Sequence, residues 1–308
     1  FAAGASLETW NFEMQSKSFS SLLVLLGMLA AAFWLLGKGL PTNSGRRTNR
    51  ESSASATLTS GDLLTGARII DLTHPFDEQT VPWPTEVGFR LERGFDGVTD
   101  GGWYYRANRF SMAEHSGTHL DAPSHFAKDG ESADEVPLAR LIGPAVVVDI
   151  TAESVKNPDF LVTVAVLQDW ERKQQRSLED KIVLLHTGWP RYWPDRERYL
   201  GTAETGKEAV AKLHFPGLDP AAADWLARNR RIRAIGIDTA SIDAGQSKTF
   251  GSHVALCEHE IPAFENLMNL EQLPSDGFTV IALPMKIRSG SGGPLRAIAI
   301  TPNATGAK

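Results

Sequence analysis

The stretch His115-Ser-Gly-Thr-His119-Leu-Asp121-Ala-Pro-Ser-His125 constrains this chain more than any other, because it sets three histidines and an aspartate within eleven residues. Gly117 permits a tight backbone turn, and Pro123 fixes φ and removes a donor, so the segment predicts a shaped loop or strand end and not a regular helix. A rigid loop of this kind aims several side chains at one point. Neutral imidazole suits zinc, copper, iron or nickel, while carboxylate oxygen also accepts manganese and can bridge two ions, so the mixture points to zinc or manganese. No cysteine takes part. Structural zinc sites usually close with thiolates, whereas histidine with carboxylate is the donor set of catalytic sites that keep a position open for water, and hydrolytic chemistry is the expectation. A lone histidine is more often a hydrogen-bonded core or surface residue. What favours metal binding is concentration, since three of the chain's eight histidines fall in this one segment.

Around that segment there is enough chain for one large catalytic domain: 308 residues with 42% hydrophobic content can bury a sizeable core. A formal net charge of -6 argues against a nucleic-acid binder, which would show a basic face. The single cysteine, Cys257, excludes an intrachain disulfide framework and reads as a small buried hydrophobe, because no thiolate-activating motif surrounds it.

Leu22 to Leu36 form an uncharged apolar run of fifteen residues inside an N-terminal extension at 1–41, with the hydrophobic segment at about 19–37. That length lies between a signal-peptide core and a comfortable membrane span, so the expectation is export to the periplasm or medium, or anchoring to a membrane. Lys38, Arg46, Arg47 and Arg50 follow it and would oppose export if the segment stays as an anchor. Phe1 to Glu13 precede the first methionine and are expected to lie outside the native product. Residues 42–66 are rich in Ser, Thr, Asn and Gly without apolar periodicity, which predicts a flexible linker before a folded domain at 67–302 and a short tail at 303–308.

Within the domain, Arg68–Thr73, Ala145–Ile150, Lys181–His186, Arg233–Asp238, Thr279–Leu283 and Arg296–Ile300 are short runs rich in β-branched residues that predict strands. Helices are expected over Val164–Arg176 and Asp219–Asn229, the second with Asp219 as cap and Pro220 in its first turn. The fold class is mixed α/β without an internal repeat. Trp83 sits in a proline-marked loop, where it can line a pocket or cap the core. Asp238 to Asp243 read equally well as a pocket-lining loop and as a capping turn. Gly290-Ser-Gly-Gly-Pro294 lacks the Gly-Lys-Ser/Thr ending of a phosphate loop, which makes a nucleotide site unlooked-for here.

The pattern His-x-Gly-Thr-His-x-Asp-x-Pro-x-His continues through Gly236–Asp243, His253 with Glu265-Asn-Leu267, Leu283–Ile287 and Gly290–Pro294. It resembles the signature of the metal-dependent cyclase-like hydrolases, which include bacterial-type kynurenine formamidase and isatin hydrolase, over about residues 65–302. The resemblance implies a swivelling β/β/α cyclase-like fold with a barrel-like sheet and two divalent metal ions, Zn2+ or Mn2+. It implies that His115, His119 and Asp121 hold one ion, and that Asp121 reaches a second held by His253 and Glu265. Glu258, His259 and Glu260 compete with Glu265 on composition alone, and His259 reads as solvated or as support for a ligand. Pro262 disfavours a continuous helix between His253 and Glu265, so the chain can turn and bring both inward. By the same resemblance His125 is the general acid and base, Trp83 contributes to the substrate pocket, and the protein is a homo-oligomer. The implied activity is hydrolysis of a small aromatic amide, with N-formylkynurenine as leading substrate and an isatin-like cyclic amide as runner-up. The insertion Gly188–Phe215 fits the broader cyclase-like branch. A non-catalytic metal-dependent binding protein is the alternative of another class, and the presence of His125 beside every ligand argues against it.

Overall fold

Runs of Val, Ile, Leu and Ala build a sheet that closes on itself. The computed structural model describes residues 66–302, so the apolar segment at 19–37, the linker up to its last residue and the tail at 303–308 lie outside the described residues. In chain order the strands are β1 (Arg68–Asp71), β2 (Arg90–Val98), β3 (Tyr104–Ser111), β4 (His119–Asp121), β5 (Ile142–Asp149) and β6 (Leu161–Val162). They continue with β7 (Ile182–His186), β8 (Gly217–Leu218), β9 (Ala234–Ile237), β10 (Ala263–Glu265), β11 (Phe278–Pro284) and β12 (Gly292–Thr301). The order in the main sheet is β1-β12-β11-β5-β7-β9-β10-β4, and a further pairing of β12 with β4 closes seven of these strands into a barrel-like ring. The expected barrel-like α/β architecture is therefore present.

The all-apolar strands follow from burial on two sides. β5, β7 and β9 run parallel at the centre of the sheet. Their alternate side chains Ala145, Val147, Ile182, Leu184 and Ala234 belong to one core, while Val146, Val148, Val183, Leu185, Ile235 and Ile237 belong to a second. Because both faces are covered, no polar residue alternates with the apolar ones. Leu167 and Trp170 of the helix Val164–Gln174, and Ala222, Ala223 and Leu226 of the segment beginning at Pro220, cover the second face. The first helix starts at Thr163, whose side chain accepts from Val166 N, and stops two residues short of the expected end, where Gln175 turns left-handed. Asp219 caps the second through bonds from Ala221 N and Ala222 N, and after Trp225 the helix widens into a π turn over Leu226–Arg230.

The hairpin of β2 and β3 was not expected, and its exposure explains why. Leu91, Phe95, Tyr104, Tyr105 and Phe110 are all exposed on it, so no buried face imposes a period of two. The insertion Gly188–Phe215 folds into short helical turns around a third core of Trp189, Tyr199, Leu200, Leu213 and Phe215. Among the described residues no helix is long and apolar enough to cross a membrane. The arrangement that matters for the site is at the closure of the ring. There β4 lies between β10 and β12, so that His119 stands opposite both Glu265 and Pro294, and Asp121 opposite Gly292.

Candidate metal centre

The histidine-rich segment forms a turn, a three-residue strand and a 3-10 turn, as its glycine and proline predict. Gly117 has φ of +61°, and a Cβ there would lie 2.6 Å from the Phe76 ring, so only glycine suits the turn. Thr118 is fully buried and pins the segment: its hydroxyl donates to Asn266 O at 2.7 Å and accepts from His74 N at 3.0 Å. β4 then presents His119 and Asp121, and Pro123 opens the 3-10 turn that carries His125.

The structure brings together all six residues singled out for metal and proton work. Asp121 is the hub, with Oδ1 at 2.5 Å from His115 Nδ1 and 3.2 Å from His119 Nε2, and Oδ2 at 3.3 Å from His253 Nε2. Glu265 lies opposite, with Oε2 3.5 Å from His119 Nε2 and Oε1 3.2 Å from His253 Nε2. Two sets of donor atoms gather within 4.8 Å: His119, Asp121 and Glu265, and His115, Asp121 and His125. The second set puts a His125 nitrogen within reach of ligand atoms, although the family resemblance gives that residue only a proton-transfer role. Its ring stacks on His115 with centroids 3.8 Å apart. The helix Gly251–Cys257 ends before Pro262, Glu260 turns left-handed with φ of +57°, and β10 carries Glu265 back toward His253. The turn expected at Pro262 is therefore made.

Electrostatics distinguishes these groups. Burial opposes the charge on Asp121, but the surrounding histidines outweigh it and hold the carboxyl well below the usual range. Burial, reinforced by the charge of Asp121, pushes Glu265 up. Burial alone would lower the His119 imidazolium, yet Asp121 and Glu265 carry it up to about 9. Burial likewise disfavours the His253 cation, and its bonds to Asp121, Asp243 and Glu265 overcome this and raise it well above its ordinary value. His125 goes the other way: burial lowers it to about 4, so at neutral pH it is an uncharged base. The donor set passes a test of fit for divalent cations. Among the described residues His119 Nε2 is buried with no hydrogen-bond partner while two carboxylates and another imidazole converge beside it, which is a cation's surroundings and not a packed core's.

The supporting residues were less legible in sequence. Asp243 Oδ2 lies 2.7 Å from His253 Nδ1 and accepts from His253 N at 3.0 Å, while Oδ1 accepts from Ser252 N, so this aspartate both caps the helix and aims His253 Nε2 at the carboxylates. Asp238, at the other end of the same motif, accepts from Thr187 N and Gly188 N and holds a turn away from the cluster. Both readings of that motif hold, since its two ends cap a turn and a helix while Ala240 and Ser241 between them line the cavity. His259 stands 3.8 Å from Asp224 and takes no part in the cluster. Glu258 is exposed, whereas Glu260 is half-buried and accepts from Glu131 N at 3.0 Å, a bond that its sequence neighbourhood does not announce.

Above the cluster opens a cavity of about 580 Å³. Trp83 lines it and also packs edge-on against Phe215 of the third core, so it serves pocket and core together. Phe250 faces both Trp83 at 6.2 Å and Phe126 at 5.5 Å, and these three rings make an aromatic wall beside His253. Apart from the histidines, the ionisable residues lining the cavity among the described residues are Glu86, Glu114, Asp121 and Glu265, with no lysine or arginine.

Comparison with known proteins identifies the family. The family model described as "Putative cyclase" matches residues 70–244, more than half of the chain. An isatin hydrolase of Roseibium aggregatum is 34% identical over 211 residues, spanning 66% of this chain and 78% of that protein. A kynurenine formamidase of Erythrobacter litoralis is 30% identical over 231 residues, spanning 75% and 93%. Among solved structures, isatin hydrolase A from Labrenzia aggregata bound to benzyl benzoate superposes with a TM-score of 0.69 at 34% identity, covering 79% of this chain and 96% of that one.

Proposed function

The chain belongs to the cyclase family, and on that premise we propose that it is a metal-dependent hydrolase of small aromatic amides whose substrate is an uncharged lactam of the isatin type. The observation that carries this reading is the cavity wall. Trp83, Phe126 and Phe250 offer a slot for a flat ring above the carboxylate–histidine cluster, and among the described residues no lysine or arginine lines it. N-formylkynurenine, which the family resemblance put first, carries an α-ammonium that Glu86 or Glu114 could meet and an α-carboxylate that finds no lysine or arginine on this wall among the described residues. Isatin is planar and neutral, and its ring needs no charged partner on the aromatic wall. The similarity to isatin hydrolases supports the same order, while the kynurenine formamidase relatives keep arylformamidase activity as the second reading.

His115, His119, Asp121, His253 and Glu265 would hold two divalent ions, Zn2+ or Mn2+, with Asp121 shared. When bound, such ions polarise an amide carbonyl and lower the pKa of water. The chain's own residues do the rest. His125, uncharged at neutral pH and lining the cavity beside the cluster, would accept a proton from water and return it to the leaving nitrogen. The aromatic wall orients the ring and excludes water from its faces. Elemental analysis of protein purified without chelator should give close to two ions per chain. A turnover screen on isatin, N-formylkynurenine and formanilide with added zinc or manganese should give the highest kcat/KM for isatin. Turnover of N-formylkynurenine alone would reverse the two readings, and turnover of none would remove both.

A further inference from the structure

The loop Gly290–Pro294, which the metal cluster itself leaves unused, meets His115 from behind. Ser291 donates twice to one oxygen of Glu114, from N at 3.0 Å and from Oγ at 2.8 Å. A hydroxyl has one proton, and this one is committed to the carboxylate. The Oγ lone pairs therefore face His115 Nε2, which lies 2.8 Å away and must be the protonated nitrogen of the ring. His115 Nδ1 is the nitrogen turned to Asp121. The 2.5 Å contact of Nδ1 with Asp121 Oδ1 holds a proton as long as no cation lies between them; with a cation there, the ring keeps the Nε2 proton that bonds to Ser291 Oγ, and Nδ1 turns its lone pair toward the cluster. The glycines beside Ser291 make room for this chain of contacts. A Cβ on Gly292 would come within 2.6 Å of His115 Cε1 and 2.3 Å of Leu120 O, and one on Gly290 within 3.0 Å of Glu114 Oε1.

We propose that Ser291 is a positioning residue that links the Glu114 carboxylate to His115 and sets the imidazole tautomer for metal binding through Nδ1. The proposal rests on the reading of the cluster as a metal centre. The relay resembles in its logic the carboxylate–histidine pairs that orient ligating imidazoles, with a serine hydroxyl interposed. His115 is about one-fifth exposed, so water partly replaces a lost hydroxyl and the effect lies toward the lower end of the range for such partners.

The test uses zinc and manganese as probes, in chelator-competition titrations of the full chain. Ser291→Ala should weaken binding by about 10-fold, Glu114→Gln should weaken it similarly, and Ser291→Thr should restore it, because threonine keeps the hydroxyl. The urea midpoint of the metal-free protein should barely move. In the zinc-loaded wild type, imidazole nitrogen shifts read by NMR should show His115 protonated at Nε2, a result that a merely structural serine would not require and that needs no variant to fold. A zinc-loaded His115 protonated at Nδ1, or a Ser291→Ala affinity equal to wild type, overturns the relay while leaving the metal centre intact. Failure of the wild type to bind either ion overturns both.

Discussion

Replacing Asp243 by asparagine changes charge and hydrogen-bonding sense at constant size, and the surroundings specify what each change does. The carboxylate accepts from four donors: His253 Nδ1 at 2.7 Å and His253 N at 3.0 Å on Oδ2, and Ser252 N at 3.0 Å and Ser247 Oγ at 3.2 Å on Oδ1. Asparagine offers one oxygen, so its NH2 must face two of these donors. Turned toward His253 it meets two N–H groups. Turned toward the serines it orphans only Ser252 N–H, because the Ser247 hydroxyl can rotate and accept instead. The second orientation prevails, and one buried unsatisfied donor destabilises the fold by about 1–3 kcal/mol. His253 keeps an acceptor but loses the charged one that orients it and raises its basicity. Losses of such partners lower metal affinity by about 10- to 100-fold, or about 1.4–2.8 kcal/mol at 1.4 kcal/mol per tenfold. Urea unfolding of the metal-free protein measures the first quantity, and zinc titration against a chelator measures the second. A destabilised fold with unchanged zinc affinity would show that Asp243 serves the helix cap alone, and that its bond to His253 has no bearing on the metal.

His125→Ala should keep its metal and lose turnover by about 10²- to 10⁴-fold, the range for a positioned proton shuttle, whereas His119→Ala should lose metal as well; equal metal loss in both, read by elemental analysis, would make His125 a ligand. Glu265→Gln should weaken metal binding and abolish activity. Glu260→Gln, which alters only an acceptor for Glu131 N, should retain the metal, and the reverse outcome in the same assay would mean the wrong carboxylate has been assigned. Without a cation the carboxylates hold His119 up to about 9 and His253 above its ordinary value, so at neutral pH both carry protons that an incoming cation displaces. Binding then releases protons, and apparent affinity rises with pH through the range near 9 where His119 titrates. Calorimetry in buffers of different ionisation enthalpy should detect that release, and proton uptake would contradict it.

The cluster from His115 to His125 was legible in sequence because ligand chemistry is local: few side chains hold divalent cations, and the Gly117 and Pro123 that shape the loop lie among them, whereas His253 and Glu265 were pointed to only by the family resemblance. The central strands were legible for a similar reason, since burial on both faces leaves an unbroken apolar run such as Ile182–Leu185. The hairpin of β2 and β3 carried no such signal, because its two faces are equally exposed. Strands β4 and β10, with three residues each, are too short to show a period, yet their pairing is what sets His119 opposite Glu265. Pro262 told that the chain could turn before Glu265, but not that it would turn toward Asp121. Only the closed ring decided that, along with the approach of Ser291 to His115 across 176 positions of sequence and of Asp243 to His253 across ten. Residue type determines which chemistry a side chain can perform. Which atom of an imidazole faces the metal depends on a partner brought by tertiary packing, and distance along the chain holds no record of it.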